Sequence, residues 1–141
     1  MKTPALLVAA ILCASGCATT YSDADLINFD DQSLLAAATL KVNGPYYGDP
    51  RSETAKRAIA IYCDRYRWGE KIKDDILAAR YWRGMSASMA VMSQGKATVI
   101  NTTSGEWGTR EQWVYEHPIG GGRLYLYFHG DRLESWQTSG I

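Results

Sequence analysis

The chain has 141 residues, and 15 Lys and Arg balance 15 Asp and Glu, so its formal net charge at neutral pH is zero. That balance excludes the basic field needed to bind nucleic acid or anionic lipid, so neither is expected as a partner. Five Trp and nine Tyr against two Phe bias it toward amphipathic rings, which serve cores and binding surfaces alike.

The first predicted element is a leader. Lys2 follows the initiator Met, residues 5–12 form an apolar run, and Ala14, Ser15 and Gly16 lead into Cys17. A basic start, a short apolar core and a small-residue exit predict a secretory signal peptide over 1–16. The run is too short for a spanning helix, which needs about 20 apolar residues. Cys17 directly after the small residues makes the segment resemble a bacterial lipoprotein signal, with Ala14 where Leu is commonest. That resemblance implies cleavage before Cys17, acylation of its thiol and attachment to a membrane through the lipid. Ala18, rather than Asp, behind it implies sorting to the outer membrane, facing the periplasm.

Removing 16 of 141 residues leaves 125, enough for one core. Lys2 leaves with the signal, so 14 basic residues face 15 acidic ones, a net charge of −1. Cys13 leaves too and Cys17 carries lipid, so Cys63 is the remaining thiol and no internal disulfide can form. Its setting, IAIYCDRY, predicts a small buried hydrophobe.

Residues 17–48 read as the lipidated Cys and an extension, and 49–141 as the domain. The stretch ATTYSDAD over 18–25 is polar and small, as a tether should be. Asp30 and Asp31 can cap a short helix over 32–40, and 41–50 is a Gly/Pro/Asn loop. Asp49 and Pro50 suit a helix start, with Ala55, Ile59, Tyr62, Cys63 and Tyr66 on one stripe until Gly69 ends it. A second helix is expected over 71–83, stopped by Gly84. A third is capped by Ser86 and stopped by Gly95, with Met89 and Met92 inward.

From Lys96 the period becomes two. Residues 97–102 are a first strand or extended arm, and 111–116, 123–128 and 132–137 are strands joined by hairpins at 117–122 and 129–131. Helices followed by a meander predict an α+β fold, two-layered, with the helices on one face of a small antiparallel sheet.

The chemistry of catalysis is sparse, and no enzyme is expected. His117 and His129 fall in predicted turns, and no HExxH, CxxC, GxSxG or P-loop pattern occurs. Asp74 and Asp75 are adjacent, so on a helix they diverge by about 100° and read as a solvated face. The glycines at 120–122 form a loose hairpin loop rather than a phosphate cradle. No catalytic residue, metal site, cofactor or small-molecule substrate is expected.

Recognition chemistry is richer. Alternation in RLYLYF sets Leu124, Leu126 and Phe128 against Tyr125 and Tyr127. In EQWVYE, Trp113 and Tyr115 share one face and Gln112, Val114 and Glu116 the other. Tyr125, Tyr127, Trp113 and Tyr115 are therefore the candidate partner-binding residues, with register deciding which set joins the Tyr pair. The alternative is that the rings are core, and Trp113 and Trp136 are expected to pack between sheet and helices.

The order of these elements resembles the SmpA/OmlA (BamE-like) family of outer-membrane lipoproteins, over residues 72–137. The likeness rests on Gly84-Met85-Ser86 opening the short helix, Gln94-Gly95-Lys96 closing it, and Val99-Ile100-Asn101 leading out. It continues through Glu111-Gln112-Trp113-Val114-Tyr115, then 124–130, to Ser135-Trp136-Gln137. The chain departs from the family pattern at Lys96, where Pro is common, and in the extension over 21–68. The resemblance implies a non-catalytic scaffold lipoprotein whose partner is an envelope protein, part of envelope or outer-membrane protein assembly. Binding of a cell-wall glycan on the Trp/Tyr face is the alternative.

Overall fold

In the computed structural model, which describes residues 21–40, 51–116 and 121–140, two short helices come first. Helix α1 (Asp23–Ile27) opens on a capping box in which Ser22 and Asp25 satisfy each other's backbone donors. Helix α2 (Asp31–Ala38) opens on Asp30, whose carboxylate accepts from Ser33 N at 2.8 Å. The sequence made 18–25 a polar tether, and this is corrected for residues 22–25. They belong to a capped helical turn that buries Leu26, while α2 buries Leu34, Ala37 and Ala38. Two arginines of the next helix hold this segment. Arg57 bonds Asp23 at 2.8 Å and the Tyr21 carbonyl at 2.6 Å; Arg65 bonds Asp31 at 2.8 Å and the Phe29 carbonyl at 2.9 Å.

Helix α3 (Glu53–Arg65) is capped by Ser52 and buries Ala55, Ala58, Ile59, Tyr62 and Cys63. Asp49 and Pro50 lie outside the described residues. Cys63 is fully buried, which pushes its thiol up to about 11 and makes it the inert hydrophobe expected. Tyr66, expected on the buried stripe, is exposed instead. Its hydroxyl donates to Asp31, and that bond pushes it up to about 12.

Helix α4 (Glu70–Leu77) ends six residues before Arg83, the expected last residue ahead of Gly84. Its end is a Schellman turn: Arg80 N–H reaches Asp75 O and Ala79 N–H reaches Ile76 O, with Ala79 at φ +55°. Asp75 is buried rather than solvated, with its carboxylate between Lys71 (2.6 Å) and Arg80 (2.8 Å). Those hydrogen bonds hold its pKa below the ordinary Asp value. Helix α5 (Ala87–Gln94) matches expectation, capped by Ser86, stopped by Gly95 at φ +85°, with Met89 and Met92 buried.

Four antiparallel strands follow in the order β1 (Val99–Gly105), β2 (Gly108–Glu116), β3 (Arg123–His129) and β4 (Arg132–Ser139). The α+β class and the antiparallel meander expected from the sequence are both present. Part of the β2–β3 connection, including His117, lies outside the described residues.

Gly84 does not end a helix, yet it still needs to be glycine. At φ +90° its N–H donates to Leu133 O at 2.8 Å, tying the α4–α5 connection to β4. Gly84→Val is expected to destabilise the fold by about 1 kcal/mol or more, since a β-branched residue resists this φ. Thermal melts check it; an unchanged midpoint would mean the strap tolerates another conformation.

Candidate functional site

Register sorts the sheet's side chains into two faces, because directly opposed residues of an antiparallel pair share one. Ile100, Trp113, Leu126 and Trp136 form one row across the four strands. Tyr115 with Leu124, and Phe128 with Leu133, continue the same face. Trp113, Tyr115, Leu124, Leu126, Phe128 and Leu133 are all buried, in one cluster with Leu26, Ile59, Ile76 and Met92 from the helices.

That placement corrects part of the expected partner surface. Trp113 and Tyr115 sit on the covered face, opposite in direction to the Tyr pair, and are core. Trp113 lies 4.5 Å from the Phe128 ring and donates its indole N–H to Glu111 at 2.8 Å. Tyr115 donates its hydroxyl to Gly95 O at 3.1 Å, joining the sheet to the stop of α5. Trp136 departs from expectation in the other direction. It shares the covered face, but at the outer strand it is 43% exposed and meets Tyr81 edge-on at 5.3 Å.

The open face carries Val99, Val114, Tyr125 and Gln137 in one row and Asn101, Gln112, Tyr127 and Ser135 in the next. Tyr125 and Tyr127 are half-buried here, and register gives them Gln112, Val114 and Glu116 as neighbours. The Tyr127 hydroxyl is engaged with its neighbours. Asn101 Nδ2 donates to Gln112 Oε1 (3.0 Å), Gln112 Nε2 donates to the Tyr127 hydroxyl (3.3 Å), and that hydroxyl donates to Gln137 Oε1 (3.3 Å). All three bonds run from β1 toward β4. Each strand contributes one member, and the ends present an Asn101 carbonyl oxygen and a Gln137 amide N–H to solvent.

Charges frame this neutral row. Beside Tyr125, Arg123 pairs with Glu116 at 3.1 Å, and its bonds to Tyr125 and then Glu116 raise its pKa. At the far end His129 Nε2 lies 2.8 Å from Trp107 O and Nδ1 lies 3.2 Å from Glu134 Oε1, so the ring pins the β1–β2 hairpin tip. The register shift between Tyr127 and Phe128 inserts Glu134 as an extra residue on β4, which lets it reach His129.

The face can thus offer hydrogen bonds and ring surface to a bound molecule. Asn101 and Gln137 were not singled out from sequence. Strand alternation around Asn101 was the signal available for one, and the diagonal reach of Gln137 to Tyr127 needs the register. Among the described residues no group of three or more His, Cys, Asp or Glu could hold a metal ion, and no helix is long and apolar enough to cross a membrane. Cys17 lies outside the described residues. No protein-family model matches the chain, and no curated protein or solved structure is significantly similar to it.

Proposed function

We propose that this chain is a lipid-anchored, non-catalytic protein-binding module of the cell envelope. It is tethered through Cys17 to the periplasmic side of the outer membrane, and the open sheet face is its docking surface. The observation that carries the reading is the row Asn101, Gln112, Tyr127 and Gln137 beside Tyr125, on a face the helices leave uncovered. Its aromatic surface and paired donors and acceptors suit a protein surface, as hot-spot tyrosines do. The resemblance to SmpA/OmlA lipoproteins supports the same reading and points to a partner in envelope or outer-membrane protein assembly.

Two results are expected. Cys17→Ser should incorporate no fatty-acid label and leave the membrane fraction; continued labelling would overturn the anchor. Tyr125→Ala combined with Tyr127→Ala should keep the fold and weaken partner capture from solubilised membranes at least tenfold, about 1.4 kcal/mol. Equal capture with an equal melt would remove this face from consideration.

One observation favours a second reading. The row consists of uncharged amides and a phenol, which match the neutral hydroxyls of a cell-wall glycan, with Tyr125 as a stacking ring. Co-sedimentation with purified sacculi that is lost in the Tyr double variant would favour that reading over a protein partner.

A further inference from the structure

The two edges of the sheet are finished differently. β4 is covered at its start, where Gly84 N–H donates to Leu133 O (2.8 Å), Leu133 N–H donates to Met85 O (3.0 Å), and Ser86 bridges Arg132. The charges of Arg132 and Glu134 and the shifted register protect it further, in the ways natural edges are blunted. β1 carries none of these devices. Its seven residues, VINTTSG, include no charge and no Pro, every one is exposed, and among the described residues its only sheet neighbour is β2.

Exposed large hydrophobics gather at the two ends of this strand. Val99 and Ile100 begin it at 47% and 48% exposure, and Trp107 follows it at 58%. The Trp107 ring stands where a side chain of Gly105 would be, leaving no room for a Cβ there. Gly105 and Val99 are six residues apart on one strand, so both project to the open face.

We infer that β1 pairs antiparallel with β1 of a second copy of this chain, joining two four-stranded sheets into one of eight strands. In the register centred on Thr102, Val99 lies opposite Gly105, Ile100 opposite Ser104, Asn101 opposite Thr103, and Thr102 opposite itself. Val99 of each copy then meets the Trp107 indole that covers Gly105 of the other, an aromatic–β-branched cross-strand pair formed twice by symmetry. No like charges meet along the seam. The self-complementarity selects a second copy over an unrelated strand: each end of β1 holds what the opposite end lacks. The inference requires neither the lipid anchor nor any partner on the open face.

The test uses the full-length chain in mild detergent. Directly opposed residues lie within disulfide range, so Thr102→Cys should yield a disulfide-linked dimer on mild oxidation, while the parent and Ser139→Cys on the other edge should not. Thr102→Lys and Thr102→Glu should each weaken self-association at least tenfold by sedimentation, and mixing the two variants should restore it. Circular dichroism confirms that these exposed-site variants keep their fold. The seam is smaller than a standard interface of roughly 1,600 Å², so the parent is examined up to about 100 μM. A parent that stays monomeric throughout, a dimer indifferent to Thr102→Lys, or cross-linking at Thr102→Cys no greater than at Ser139→Cys would each overturn the inference.

Discussion

Replacing Arg51 with Ala is expected to lower the unfolding free energy of this protein by about 3 kcal/mol or more. One guanidinium closes the carboxyl ends of two helices at once. It donates to Ile76 O (2.8 Å) and Leu77 O (2.8 Å) at the end of α4, and to Met92 O (2.9 Å) and Ser93 O (2.7 Å) near the end of α5. Helix carbonyls at a C-terminus have no partner within the helix, and the aligned dipoles there favour a cation. Burial works against the charge and lowers the Arg51 pKa, but the four carbonyls work for it. In Arg51→Ala, Ile76 O keeps the Ala79 N–H, but Leu77 O, Met92 O and Ser93 O lose this donor in a half-buried place, with a cost of about 1–3 kcal/mol for each group left unsatisfied. Some will recover water, so the expected total is nearer the cost of two than of three. Arg51→Lys restores the charge without the planar fork and should recover only part of the loss. Urea unfolding of the full chain, followed by Trp fluorescence, measures both. An Arg51→Ala midpoint within about 0.5 kcal/mol of the parent would show that the helix ends need no shared cation.

Arg51 also illustrates where the sequence stops being legible. It stands in no motif, and its partners are backbone carbonyls 25 to 42 residues away, which no side-chain pattern announces. What was legible rests on local rules. Ser86 and Gly95 bracket α5 because one supplies an oxygen for a free N–H and the other accepts φ +85°. Leu124, Leu126 and Phe128 separate from Tyr125 and Tyr127 because strand period is two and burial follows apolarity.

The misread helix ends share one physical cause. α3 and α4 both stop in Schellman turns whose left-handed residues are Arg67 and Ala79, each at φ +55°, with Trp68 N–H reaching Cys63 O in the first. Neither turn carries a glycine, and the next glycines in the chain are Gly69 and Gly84. Tertiary bonds hold the second turn in place: Gln94 Nε2 donates to Ala79 O at 2.6 Å, and Ser93 donates to Arg80 O. Asp75 was misread for a related reason. A charge on a short polar helix reads as solvated until the turn brings Arg80 back beside Lys71 to enclose it. On the sheet, the faces of β2 and β3 were each legible but their mutual register was not. The pairing of Gln112 with Tyr127 puts Trp113 and Tyr115 on the covered side.

That register leads to a paired prediction for two tryptophans which the sequence treated alike. Trp113→Ala is expected to cost about 3–5 kcal/mol, as truncation of a buried Trp does, whereas Trp136→Ala should cost about 1 kcal/mol or less. Trp113 is 5% exposed, packs on Phe128 between sheet and helices, and its N–H has Glu111 as acceptor. Removing it opens a cavity next to Leu126 and strips that carboxylate of its donor. Trp136 lies opposite Leu126 on the same face, but on the outer strand of the described sheet. Its ring leans on Tyr81 and remains nearly half in water, so truncation loses one edge-to-face contact and much less burial than at Trp113. Trp113→Ala is therefore expected to fold poorly or melt far below the parent, and Trp136→Ala to melt close to it. Equal losses would refute the exposed placement of Trp136. A stable, well-folded Trp113→Ala would refute the assignment of that ring to the core and return it to the candidate binding surface beside Tyr125 and Tyr127.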